Sequence, residues 1–239
     1  MFERRQTLSR MTQEISDKPT IVLMDDAKYG DNDHALSYRA GQELLERWRR
    51  GVDLEFLIRL MQSEKSSDRL RAAYYLGEVG EAVEGLRVPA TELASDPLSD
   101  CQRAFVNYMA TSGYFDEPIA RGLANCLLDL DLYVRAAAIK WAVSTTVERL
   151  EEFSRLVSSG TGRFELKFRN PLSNSFWGKA LRERGLRGVE IIRRLRAGEE
   201  VQRIRMEVPG EDSFVLDNLL FWETSRERYL EWQKIKSKD

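Results

Sequence analysis

The stretch Asp68–Gly80, DRLRAAYYLGEVG, decides the fold because it comes back at a fixed interval. Thirty-two residues on, the chain reads DCQRAFVNYMATSG from Asp100, and thirty-two after that LYVRAAAIKWAVST from Leu132. An Arg-Ala pair keeps the same phase each time, at Arg71-Ala72, Arg103-Ala104 and Arg135-Ala136, and, one interval earlier, at Arg39-Ala40. Within the first copy Leu70, Ala73, Tyr74 and Gly77 fall at the 3–4 spacing of one helix face. Ser66, Ser67 and Asp68 offer oxygens to cap its start, and Gly80 stands where a helix ends. In the second copy Ser99 and Gln102 have the form of a capping box, closed by Gly113. The third starts from Asp129 or Asp131.

Between these copies lie second helices, DLEFLIRLMQS, LRVPATELAS, DEPIARGLANCLLDL and VERLEEFSRLVSS, with Pro89 and Pro118 in first turns where a missing N–H costs nothing. The repeating unit is therefore helix–turn–helix, present about four times from roughly Ala35 to Gly160. One such hairpin leaves apolar surface on two sides. Stacking equal hairpins hides each against the next, and a constant interval follows. Alanine lets neighbouring helices approach, while arginine lays its stem over the packed layer and reaches for a carboxylate in a nearby turn.

In Asp131, Val134, Arg135 and the alanines after them, and in LRAAYYLGEVG from Leu70, the chain resembles the HEAT-like repeat family of α-solenoids over about half its length. The resemblance implies a concave face lined by the Val-Arg helices and a structural ladder made of Asp131, Arg71, Arg103 and Arg135. The Leu-Gly that usually follows sits early in one copy and is missing from later ones, which implies an irregular superhelix.

After Gly160 the period changes. RFELKFR at 163–169 and RIRMEV at 203–208 alternate apolar and polar residues, which predicts two short β-strands. Helices are expected at Phe176–Arg184 and Leu186–Ala197, a turn at Pro209-Gly210, and a closing helix from Ser213 to Ile235 that caps the open end of the stack. The expected architecture is mainly α: a polar N-terminal segment (1–34), an α-solenoid of about four hairpins (35–160), and a C-terminal extension (161–239) with two strands and a closing helix.

Charge divides the same way. Residues 51–161 hold 17 acidic and 11 basic side chains, and residues 162–208 hold 6 acidic and 12 basic. The whole chain, at net −2, advertises neither a polyanion nor a polycation as partner. No apolar run approaches the roughly 20 residues that span a bilayer, and MFERRQTLSRMTQEISDKPT has no apolar signal core. Cys101 and Cys126 sit in helical sequence and read as buried small hydrophobes. A cytoplasmic protein is expected.

The residues give no centre of chemistry. The sole histidine, His34, lies beside Asp25, Asp26, Asp31 and Asp33, but without the spacing of a calcium loop. Two cysteines on separate helices and one histidine make no zinc ligand pair. SSGTGRF lacks the Lys-Ser/Thr of a phosphate loop. No metal, cofactor or catalytic residue is expected. The expectation is a non-enzymatic scaffold that binds a protein through Tyr75, Glu78, Asp100, Asn107, Tyr108, Lys140 and Trp141, aromatic and charged residues in and beside the three best helices. An acidic-faced solenoid of this kind is similar to inhibitor or immunity-type proteins that neutralise a basic toxin or nuclease. Two alternatives stand beside it. One is nucleic-acid binding through Arg163, Lys167, Arg169, Arg203 and Arg205, with Lys179, Arg193, Arg194 and Arg196 nearby; the HEAT-like resemblance includes DNA-binding alkylpurine glycosylases. The other is head-to-tail self-association of the acidic and basic regions.

Overall fold

The computed structural model describes residues 15–27, 34–159 and 174–221, and these are mainly helical, with no strand among them. Their contacts divide the chain into two compact units, Met1–Ala90 and Thr91–Asp239.

In the first unit α1 (Thr20–Asp26) packs on α2 (His34–Arg49), α2 on α4 (Ser66–Val79), and α3 (Leu54–Met61) on α4 and on a 3₁₀ turn, Glu84–Leu86. Trp48, Leu44, Leu57 and Leu76 are fully buried and form its core. Gly80 ends α4 with φ 67°, as the sequence predicts. The N-terminus of α4 differs, because Lys65 precedes the first helical residue and Ser66 lies inside the helix. The Ser63 hydroxyl donates to Asp68 at 2.8 Å and ties down that first turn. The segment read as LRVPATELAS becomes a short helix, α5 (Arg87–Glu92), tightened at both ends into 3₁₀ turns.

In the second unit α6 (Ser99–Ser112) packs on α8 (Leu132–Ser144), and α7 (Glu117–Leu128) packs on α8 and α9 (Val147–Ser159). Alternate helices thus lie side by side, the arrangement that repeated hairpins need in order to bury both flanks. Asp131 caps α8 by accepting from the N–H groups of Tyr133 and Val134, and Asp116 does the same for Ile119 of α7. The capping box at Ser99 does not form. Gln102 instead donates to Asp129 at 3.0 Å, linking α6 to the turn before α8.

The C-terminal readings need correction. The two helices expected at 176–184 and 186–197 are one, α10 (Asn174–Arg196), which packs on α7, α8 and α9. The glycine between them is no terminator: a Cβ on Gly185 would lie 2.5 Å from Leu128 and 2.9 Å from Val157, so its bare backbone is what lets α10 approach. The strand expected at 203–208 is helical, α11 (Val201–Glu207). Six alternating residues cannot distinguish the two periods, and Arg203 pairs with Glu199 and Glu207 at helical i,i+4 spacing. Ile204 is buried while Met206 is 79% exposed, so the supposed apolar face does not exist. The other expected strand, 163–169, lies outside the described residues. The closing helix begins earlier than expected: α12 (210–221) starts at Gly210, after Pro209. The turn signal there marks a helix start. Residues 222–235 of the expected helix lie outside the described residues.

Candidate interaction surface

The structure separates the seven expected contact residues into two groups. Tyr75, Tyr108 and Trp141 are buried. Tyr75 meets Trp48 edge-on at 5.0 Å, Tyr108 lies 6.4 Å from Tyr114, and Trp141 stacks on Phe115 at 5.8 Å and tilts against Phe153 at 5.6 Å. These rings belong to the cores, and the expectation that they contact a partner is withdrawn. Glu78, Asp100, Asn107 and Lys140 are exposed. Asp100 pairs with Arg103 one turn on. The backbone carbonyl of Glu78 accepts from Arg49 at 2.6 Å.

Helical spacing fixes which residues share a face, but not which of two faces is covered, and a helix in a stack is covered on more than one side. One exposed aromatic residue is the immediate chain neighbour of an expected one. Tyr74 is exposed where Tyr75 is not, and it meets Tyr75 edge-on at 5.5 Å.

In the second unit two exposed rings converge. Tyr133, in the first turn of α8, is 50% exposed, and Phe214 of α12 is 39% exposed. They meet edge-on with centroids 5.7 Å apart, and the Arg103 guanidinium of α6 lies 5.9 Å from the Tyr133 centroid. Three helices thus contribute Arg103, Tyr133 and Phe214 to one surface, beside the Asp100–Arg103 pair. Tyr133 follows the α8 cap by two residues, so its backbone is fixed by Asp131.

Beneath this surface lies a cluster of charge. Arg135 and Asp212 are both fully buried and form an ion pair. Arg187 Nε donates to Asp212 at 2.8 Å, and Arg187 and Arg184 both pair with Glu211. Arg135 Nη2 donates to the Arg184 carbonyl at 3.1 Å. Burial pulls the Arg135 guanidinium below its ordinary value, with Asp212 pushing it back up. Glu211 is partly desolvated, yet the hydrogen bond and charge of Arg184 hold it below the usual carboxylate range. The sequence reading gave Arg135 a carboxylate partner in a turn of the repeats. The carboxylate comes from the C-terminal extension, nearly eighty residues away.

Among the described residues of the basic region, most arginines are neutralised within the chain. Arg194 pairs with Glu199 and Glu207, Arg203 with the same two carboxylates, and Arg205 with Asp217. Arg196 donates to the carbonyls of Ala142, Val143 and Thr145, closing the C-terminal end of α8. Arg163, Lys167 and Arg169 lie outside the described residues.

Cys101 and Cys126 are free and buried, and burial drives the Cys126 thiol far above the range in which a thiolate forms. Among the described residues no group of three or more His, Cys, Asp or Glu is placed to hold a metal ion, and no helix is long and apolar enough to cross a membrane. Of the N-terminal aspartates, Asp26 pairs with Lys18 at 2.8 Å, while Asp31 and Asp33 lie outside the described residues. No family model matches this sequence, and no curated protein is significantly similar to it.

Proposed function

We propose that this protein is a non-enzymatic scaffold of HEAT-like helical repeats that binds another protein, and that Arg103, Tyr133 and Phe214 form the centre of its contact surface. The observation that supports this reading is the exposed aromatic pair with a guanidinium against it, presented by three packed helices. Tyr and Phe bring large contact area at small cost in side-chain freedom, and Arg adds directional hydrogen bonds; the best-attested binding centres use these residue types. The side-by-side packing of alternate helices and the returning Arg-Ala phase support the solenoid reading. The excess of acidic over basic residues in 51–161 favours a basic partner, of the toxin or nuclease kind, drawn in by complementary charge. The basic residues of α10 and α11 give little support to nucleic-acid binding, since most of those described already face carboxylates or carbonyls of the same chain.

The test is a capture experiment followed by affinity measurement. Immobilised protein retains a basic partner, and Tyr133→Ala with Phe214→Ala weakens binding at least about tenfold, the loss expected for a contact centre, in a variant that keeps its helical circular dichroism and cooperative melting. Glu78→Lys and Asp100→Lys lower the association rate by a smaller factor that vanishes at high salt. Retention of mixed-sequence DNA instead, equally by parent and aromatic double variant, would refute the reading.

A further inference from the structure

Within α12 the buried residues are Asp212, Val215, Leu216 and Leu219. Their spacing, i, i+3, i+4, i+7, is that of a core-facing helical stripe, and its first position is held by a carboxylate. The facing helix repeats the anomaly. Arg135 is fully buried among Val134, Ala138 and Ile139, although its phase partners Arg71 and Arg103 are only half-buried. Two charges therefore stand where the pattern on both helices calls for apolar residues.

We infer that Asp212 is the positioning residue of the contact surface: its pairing with Arg135 and Arg187 sets the register of α12 on α8, and so places Phe214 against Tyr133. Apolar burial has no direction. Val215, Leu216 and Leu219 would bury nearly as much area with α12 slid by one turn, about 5.4 Å. A buried carboxylate has no such freedom, because any other register leaves it, and Arg135, desolvated and unpaired. A single polar group in an apolar helix seam fixes alignment in the same way, at some cost in stability. Phe214 follows Asp212 by two residues on a rigid helix, and a one-turn slide would carry it off the Tyr133 ring. Glu211 adds a second tie from the same turn, through Arg184 and Arg187.

The inference deepens the reading of the surface as a contact site, but its test needs no partner. Proton NMR of the free, full-length protein should show one set of Tyr133–Phe214 ring cross-peaks, as their 5.7 Å centroid distance requires. The paired variant Arg135→Met/Asp212→Leu restores an apolar stripe on both helices and leaves Glu211 to Arg187. It is expected to keep helical circular dichroism and cooperative melting, yet to lose that single set of cross-peaks or split it into several. A folded paired variant that keeps one undiminished Tyr133–Phe214 set would overturn the inference. Should the paired variant not fold, Asp212→Asn removes the charge at nearly constant shape, and the same splitting is expected against the same overturning result. Because the spectra are recorded without a partner, failure here would leave the proposed binding function standing. Failure of the capture experiment would equally leave the register claim intact.

Discussion

The two compact units each use an arginine to tie elements together, and they use it for opposite purposes. In Met1–Ala90, Arg47 holds the segment before α1 through neutral acceptors, donating to the carbonyls of Ser16 and Lys18 at 2.7 and 2.8 Å and to the Thr20 hydroxyl at 2.9 Å, while its Nε pairs with the Glu43 carboxylate on its own helix. In Thr91–Asp239, Arg135 meets a carboxylate from a distant part of the chain, with both groups sealed from water. Carbonyl acceptors occur at every residue, so a guanidinium that uses them fastens a segment without selecting its register. A buried carboxylate occurs once among the described residues, and pairing with it selects one arrangement. The first device is a local clasp and the second a long-range pin.

The largest expected effect follows from this contrast. Arg135→Ala leaves Asp212 buried without one of its two arginine partners and should cost about 3–5 kcal/mol in urea unfolding. Arg47→Ala leaves neutral carbonyls that water can reach, and should cost about 1.5–3 kcal/mol. Arg103→Ala, at the same repeat phase as Arg135, should cost at most about 1 kcal/mol because its pair with Asp100 is exposed. Equal costs for Arg103 and Arg135 would erase the distinction between surface and pinned positions.

A smaller comparison concerns the helix starts of one unit. Asp131→Ala removes a formed cap from α8 and should lower stability by about 1 kcal/mol. Ser99→Ala should change it by less than about 0.5 kcal/mol, since no side chain caps α6. Thermal denaturation of the two variants side by side decides whether the resemblance of SDCQ to a capping box has any energetic content.

The smallest effect is in the acid range. Glu211 has a lowered value in the folded chain, so the stability it confers is fully present above the unfolded value of about 4.3 and is lost as pH falls through the lower folded value. Glu211→Gln should therefore flatten the decline of stability between about pH 5 and pH 3, read from urea midpoints at each pH. An unchanged acid limb would mean that Glu211 is not held by Arg184 and Arg187 in solution.

How much of this was legible in the sequence depends on the range of the interaction. The helices of the repeats, the glycine stops at Gly80 and Gly113 and a cap at Asp129 or Asp131 are local, and the period exposed them; the structure selects Asp131. The content of 203–208 was not legible, because six residues carry too few turns for a period of 3.6 to separate from a period of 2. Gly185 reads as a break from sequence alone, since nothing local shows Leu128 and Val157 waiting on the far side. The candidate surface was half legible. The repeat phase located the helices, but telling the buried Tyr75, Tyr108 and Trp141 from the exposed Tyr74 and Tyr133 required knowing which flank of each helix is covered. Phe214 had to be brought from the C-terminal extension, and the only sequence signal for its placement is an aspartate at the head of an otherwise apolar stripe.

The most direct test of adhesion at this surface is the affinity of the captured partner for the parent protein and for Tyr133→Ala/Phe214→Ala, measured at physiological ionic strength. A basic protein partner is expected, with a loss of at least about tenfold in a variant that still melts cooperatively. Equal affinity of the two forms for that partner would contradict it.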